Sequence, residues 1–321
     1  MLLEQLQDQH LHEVLSLWNA ELGDSYPLRL RLLQQNVMED NRLMRDGSWV
    51  AKAPGTEKII GFVIAKKSGA EDERFGLSRD VGWVHALITA SAWRARGIGG
   101  ALLERAEQAL RAAGIKRIVL GNDLHRRMFP GIPDELVETK RWFEKRGYVC
   151  REQVYDLIKV YEADEEACLP FMGEVTARLA SPHDRDALMD FMSRCFPGTW
   201  DCQHRDYWEQ GGTGREYVVL EKREKLIGFC RINDAHSPLL AQNVYWAPLF
   251  EDELGGIGPL GIDEHYRGHR YGISIVQAAI HYLRKRGIRR IVIDTTPFVD
   301  FYGKLGYEVW KKYVKYDKGF E

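Results

Sequence analysis

Arg94-Ala95-Arg96-Gly97-Ile98-Gly99 places two cations and two glycines directly before a long amphipathic run. Such a stretch suits a pyrophosphate. Glycine removes the Cβ that would hold a phosphate off, and N–H groups at a helix start point at the anion. The N–H groups of Gly97, Ile98, Gly99 and Gly100 would bind, helped by the helix dipole, with Arg94 and Arg96 adding charge. Gly97 and Gly99 can both take positive φ. Just upstream, His85 is a candidate base, since an unperturbed pKa of about 6.5 suits proton abstraction near neutrality.

The loop occurs twice. Arg267-Gly268-His269-Arg270-Tyr271-Gly272 keeps the first arginine and the last glycine but has Arg270 at the middle glycine. If that position is left-handed, a side chain there costs about 1 kcal/mol or more; whether this loop still holds an anion is left open. Arg94 aligns with Arg267, 173 positions on, and RAAGIKRIVL at 111–120 aligns with RKRGIRRIVI at 284–293 at the same offset. KIIGFVI at 58–64 echoes KLIGFCR at 225–231. WFEKRGY at 142–148 echoes FYGKLGY at 301–307, now 159 positions on, so the first copy carries 14 extra residues before its last helix. A repeat of this length is a duplicated domain, not a solenoid module. The copies also differ in a proton donor: Tyr302 in the second stands where Phe143 stands in the first.

These residues must be held by strand–loop–helix–strand units. Val81–Thr89 reads as a mostly apolar strand, and 99–113 as a helix with a stripe of Leu102, Leu103, Ala106 and Leu110. Ile115–Leu120 reads as a buried strand. Leu11–Gly23 and Leu28–Met38 have helical spacing, and 48–53 and 59–66 pair as strands across Pro54-Gly55. Glu135–Lys145 reads as a helix and 149–158 as a strand. The second half repeats the order: helix 183–195, strands 217–221 and 226–232, a strand near 258–262, helix 272–286, strand 290–294 and helix 298–305. Asp263 and Asp294 lie at strand ends as candidate carboxylates. The insertion carries His125, Arg126 and Arg127 and could form a substrate-recognising lid. Trp200, His204, Tyr207 and Trp208 form an aromatic cluster that either packs or lines a substrate site.

The 321 residues suit two domains, expected at 1–162 and 172–321 with a boundary in the acidic stretch 162–166. A hydrophobic content of 45% and charged content of 29% are ordinary for a globular chain. The formal net charge of −2 argues against general nucleic-acid or membrane-surface binding. No run of about 18 apolar residues is present, the first ten residues do not read as a secretory signal, and five scattered cysteines suggest neither disulfides nor a zinc site. A cytoplasmic location is the expectation.

An R-x-x-G-x-G loop between strand and helix, followed by an aromatic helix ending in K-x-G-Y, resembles the GNAT acyltransferases. The likeness runs over nearly the whole chain, twice. It implies an α/β fold, with a mixed sheet in each of two tandem GNAT domains. It also implies acetyl-CoA as co-substrate, no metal, and transfer to the primary amine of a small molecule by direct attack on the thioester. By the same resemblance Leu87, Ile88 and Thr89 on a splayed strand would meet the pantetheine and acyl carbonyl. Arg94, Arg96, Gly97, Ile98, Gly99 and Gly100 would hold the pyrophosphate, as would Arg267 and Gly272 in the second copy. Tyr302 is then the expected general acid, protonating the leaving thiolate, and His85 the expected base. Two alternatives stay open: a catalytically inactive acyl-CoA sensor or interaction protein, and activity residing in the C-terminal domain with Tyr302. The protein is expected to be a monomer or homodimer, without a nucleic-acid or membrane partner.

Overall fold

The computed structural model describes residues 1–124 and 126–320, so His125 lies outside the described residues. The chain divides into two compact units, Met1–Val154 with Lys312–Glu321, and Tyr155–Lys311. In chain order the first half runs β1 (Leu2–Gln5), α1 (Leu11–Leu22), α2 (Leu30–Leu33), β2 (Trp49–Lys52), β3 (Ile59–Lys67), β4 (Val81–Thr89), α3 (Ile98–Ala112), β5 (Arg117–Leu120), β6 (Ile132–Pro133), α4 (Val137–Glu144) and β7 (Val149–Val160). The second runs β8 (Val175–Leu179), α5 (Arg185–Cys195), α6 (Thr199–Glu209), β9 (Tyr217–Lys222), β10 (Lys225–Asn233), β11 (Leu254–Ile262), α7 (Tyr271–Lys285), β12 (Arg290–Thr296), α8 (Val299–Gly303) and β13 (Glu308–Gly319).

In the first unit the sheet order is β1-β2-β3-β4-β5, completed by the C-terminal residues of β13. Pairing is antiparallel except between β4 and β5. β3 reads IIGFVIAK because both its faces are covered, and each of these residues is buried. The α3 stripe Leu102, Leu103, Ala106 and Leu110 packs into the same core as Ile60, Val63 and Ile118. Val314 and Tyr316 of β13 join that core, and Asp317 pairs with Val119 of β5.

The second unit has the order β8-β9-β10-β11-β12, completed by β7 residues 155–160, which pair with β12. Its core gathers α7 (Ile275, Val276, Ala279, Leu283) against β10 to β12. The expected strand near 258–262 is longer, starting at Leu254. Gly255 and Gly256 concealed it: a Cβ on Gly256 would fall 1.9 Å from Oδ1 of Asn243, so the strand must lack a side chain there. The aromatic cluster lies on or beside a helix, α6, which periodicity alone does not separate from its surroundings.

Candidate active site

The loop 94–97 closes onto α3 through two left-handed residues, Ala95 at φ 59° and Gly97 at φ 83°. The matching loop before α7 has the same two steps, Gly268 at φ 86° and Arg270 at φ 61°. Each loop therefore has glycine at one left-handed step and a side chain at the other. A Cβ added to Gly97 would meet nothing within 4 Å, so the space before the helix terminus is open. Gly99 uses its missing side chain differently. It lies inside α3 rather than at positive φ, and its role is close approach: a Cβ would fall 3.3 Å from Oγ1 of Thr89 and 3.5 Å from the Trp142 ring. Gly100 follows it in the first turn, and Gly272, the match of Gly99, is likewise the second residue of α7.

The arginines behave differently from one another. Arg94 donates from Nε to the Thr89 carbonyl at 3.2 Å and ion-pairs with Glu21 of α1. Glu21 also accepts the Ser91 N–H at 2.7 Å, so this loop is tethered to α1. Arg96 is exposed and lies over the Trp93 ring at 5.0 Å. In the second unit Arg267 donates to the Ile262 carbonyl at 3.1 Å, the equivalent of the Arg94 bond.

Ahead of the loop the sheet opens. β4 pairs with β5 only from Val81–Arg117 to Val84–Leu120, whereas its pairing with β3 continues to Thr89–Gly61. The Ala90 N–H donates to Ile60. By alternation Ile88 and Ala86 turn their backbone groups toward β3, leaving those of Leu87 and Thr89 on the open side. Ile88 instead contributes its side chain. The gap forms a small cleft of about 80 Å³, lined by His85, Leu87, Ile88, Phe129 and Phe143, with Trp18 and Leu22 of α1.

His85 sits where the β3–β4 register shifts, between the Ile64–Ala86 and Ala65–Val84 pairs. A bulge of this kind re-aims a side chain. His85 is 2% exposed, its Nδ1 lies 2.9 Å from Oδ1 of Asp123, and its Nε2 has no hydrogen-bond partner. The other Asp123 oxygen accepts from Nζ of Lys66 at 2.8 Å. Lys66, fully buried on β3, also reaches Oδ2 of Asp40 at 2.8 Å and the Arg126 carbonyl at 3.0 Å. Burial holds the His85 pKa below its usual value, Lys66 adding to this while Asp123 pulls against it. For Asp123 burial alone would raise the pKa, but His85 and Lys66 outweigh it and hold the carboxyl well below the usual range. His85 was recognisable from the sequence. Asp123, Lys66 and Asp40 were not.

At the corresponding steps the second unit carries other residues. Val81–Arg117 and Leu254–Arg290 are the equivalent first pairs of the two parallel ladders. The same count puts Gly258 where His85 stands and Thr296 where Asp123 stands. Tyr302 lies in the second unit's core, 8% exposed, near Tyr307. Burial, with Cys230 and Asp294 nearby, pushes its hydroxyl pKa well up. Asp263 serves as a cap, accepting the His265 N–H at 3.1 Å and pairing with Arg194 at 3.0 Å. Asp294 accepts from Nδ2 of Asn243 at 3.0 Å.

In the long connection after β5, Arg126 and Phe129 pack inward, which corrects the reading of Arg126 as a lid residue for substrate. Arg126 is buried and donates to the carbonyls of Gln35 and Glu39 at 3.1 and 3.0 Å. Phe129 stacks on Trp18 at 5.4 Å and meets Tyr26 edge-on at 5.0 Å. In the second unit His204 is buried and accepts from Nε1 of Trp208 at 2.9 Å, while Tyr207 donates to Glu216 at 2.6 Å. Tyr207 and Trp208 belong to a packed core with Phe191 and Phe229. Among the described residues no group of side chains is arranged to hold a metal ion, and no helix is long and apolar enough to cross a membrane.

Twin open sheets, each with a left-handed loop entering a helix, define an acyltransferase-type fold in tandem. The family model described as Acetyltransferase (GNAT) family matches residues 11–129 and 185–307, and the chain belongs to that family. It is 33% identical over 78 residues to a mycothiol acetyltransferase of Corynebacterium glutamicum, covering 23% of this chain and 27% of that protein. It is 26% identical over 155 residues to the mycothiol acetyltransferase of Actinosynnema mirum, 46% of this chain and 49% of that one. The matches thus span between about a quarter and a half of these relatives. Among solved structures, a glucosamine N-acetyltransferase region within a fungal multidomain β-N-acetylglucosaminidase superposes with a TM-score of 0.86 at 23% identity, over 98% of this chain and 38% of that chain. A tandem GNAT protein from the clavulanic acid biosynthesis pathway superposes at 0.66 and 14% identity, over 99% and 98% of the two chains. These superpositions establish the tandem fold.

Proposed function

We propose that the protein transfers the acetyl group of acetyl-CoA to the primary amine of a small molecule, and that the first unit does the chemistry. The observation that carries this reading is the cleft where β4 parts from β5, lined by Leu87 and His85, with the loop of Gly97 leading on from β4 into α3. The residues suit the co-substrate: the N–H groups at the start of α3 with Arg96 would hold its pyrophosphate, and the open β4 edge would receive the pantetheine arm. Bound acetyl-CoA would supply a thioester whose carbon–sulfur bond breaks as the amine nitrogen bonds to the acyl carbon. The Leu87 N–H would polarise the acyl oxygen. Nε2 of His85 would accept the proton that the attacking amine gives up, and that proton can then return to the leaving thiolate through water or the imidazolium. Phe143 has no proton to give. Relatives that are acetyltransferases support the reaction class, and the similar fungal glucosamine N-acetyltransferase region makes glucosamine the first acceptor to try.

The test is thiol release from acetyl-CoA against amines, amino acids, polyamines and aminosugars, with wild type and His85→Gln. Turnover with at least one amine, reduced about 10²-fold or more in His85→Gln, is expected for loss of a general base. Tight acetyl-CoA binding without release by any amine would instead identify a sensor.

A further inference from the structure

The reading of His85 as base leaves open what sets its tautomer. Neutral imidazole carries one proton, and only the form protonated on Nδ1 leaves a lone pair on Nε2. We propose that Asp123, braced by Lys66, is the positioning residue that holds His85 with Nδ1 protonated and Nε2 directed to the amine. This inference rests on the function proposed above and deepens it.

The geometry pairs both Asp123 oxygens and the Lys66 ammonium. Asp123 takes the Nδ1 proton on Oδ1 at 2.9 Å and the Lys66 ammonium on Oδ2 at 2.8 Å. The three protons of that ammonium have three acceptors: Asp123, Asp40 and the Arg126 carbonyl. Asp40 in turn faces Arg42, with Nη1 at 3.5 Å, and Arg42 pairs with Asp72, whose Oδ2 accepts from Nε at 3.1 Å. All of these side chains are buried. A charge row of this kind is expensive to desolvate and adds no stability over an apolar core. Its presence beside the cleft-lining histidine fits a need for orientation. The row also explains why the insertion packs inward: the Arg126 carbonyl must meet Lys66, and Asn122, left-handed at φ 52°, turns the chain so that Asp123 faces the strand. The second unit, with Gly258 and Thr296 at these steps, carries neither residue of the pair.

In the reaction the Nδ1 proton stays on the ring throughout. The amine proton moves to Nε2, giving an imidazolium that Asp123 stabilises, and leaves again from Nε2. No proton passes to Asp123.

The test compares Asp123→Asn, His85→Gln and the double variant by kcat and KM for acetyl-CoA and amine, with thermal unfolding of each. An asparagine amide can donate to Nδ1 and so favours the opposite tautomer, with Nε2 protonated. Asp123→Asn should lose about 10²-fold or more in kcat with KM for acetyl-CoA within about twofold, and Asp123→Glu should recover part of the loss. In a His85→Gln background the same change should cost no further activity, because Asp123 works only through His85. Full activity of Asp123→Asn alongside a crippled His85→Gln overturns the positioning role and spares the base. Full activity of His85→Gln overturns the base assignment itself. A fall in the double variant well below either single one assigns Asp123 to structure and overturns the proposal.

Discussion

Gly97 and Arg270 stand at the same step of the two loops, and both backbones are left-handed, at φ 83° and 61°. The geometry of the step is kept where the glycine is not. The difference is the side chain itself: a Cβ on Gly97 would meet nothing within 4 Å, and Arg270 carries a long, exposed one. Titration calorimetry with acetyl-CoA should therefore give a stoichiometry of one. Gly97→Glu, which puts a carboxylate where the phosphates would lie, should weaken binding at least about 10²-fold, roughly 2.7 kcal/mol. Gly272→Glu should leave it within about threefold. Unchanged binding in Gly97→Glu would reassign the cofactor to the second loop.

Tyr302 tests which unit carries the proposed transfer. It is the only one of the matched pair Phe143 and Tyr302 with a proton to give, yet Gly258 and Thr296 stand in its unit where His85 and Asp123 stand in the other. Tyr302→Phe keeps the ring in its core and removes only the hydroxyl. We expect kcat to stay within about twofold; a fall of about 10²-fold would move the chemistry to the second unit.

As the proposed base, His85 also sets a pH dependence. The base must be neutral to act, and burial, aided by Lys66, disfavours the charged ring more than Asp123 and Asp40 favour it. Its folded pKa thus lies below the ordinary value of about 6.5. Activity at saturating amine should stay level as pH falls through 6.5 and decline only at lower pH. An acid limb centred at 7 or above would show that the Asp123 carboxylate outweighs burial.

The copies and the order of their elements were legible because helical and strand periodicities survive in both, and because GIKRIVL and GIRRIVI keep the register. His85 was legible because it sits in an otherwise apolar strand just before the loop. Its partners were not, since Lys66 looks like the polar end of a strand and Asp123 like part of a solvent-facing loop. Their pairing across 57 positions exists only once β3 and the β5 connection are packed. Arg126 misled for a related reason: its charge suggests a ligand, but the carbonyls of Gln35 and Glu39 claim it. The exchange of β7 and β13 residues between units was likewise invisible, because a repeat records ancestry and not which sheet a strand joins.

His204 should make the second unit acid-sensitive. Burial, with Arg231 and Arg205 nearby, lowers its pKa to about 3. The unfolded chain takes up the proton near pH 6.5 and the folded chain does not until about 3. Stability contributed by the neutral ring is therefore complete above 6.5 and is lost as pH falls toward 3, by about 1.4 kcal/mol per pH unit at most. Urea unfolding between pH 7 and 4.5 should show this slope, and His204→Gln, which keeps an acceptor for Trp208, should flatten it by up to one proton. An unchanged slope would place the acid sensitivity elsewhere.

The last ten residues belong by the repeat to the second copy but by packing to the first. Val314 and Tyr316 are 4% and 3% exposed in the first core, Asp317 to Gly319 pair with β5, and the Tyr316 hydroxyl donates to Glu144 at 2.7 Å. Deleting buried side chains of this size costs about 2–5 kcal/mol each, which approaches the whole stability of a domain. It also bares the β5 edge to pairing with other chains. A chain ending at residue 311 should thus lose acetyl-CoA binding and aggregate, although it lacks no residue of the loop, the cleft lining or the His85 array. A chain ending at 162, where the repeat alone would divide the protein, should fail the same way. A peptide of residues 308–321 added during refolding should restore binding to the 311 truncation by replacing the missing strand. Wild-type affinity in the truncated chain without the peptide would show that β13 is dispensable to the first unit.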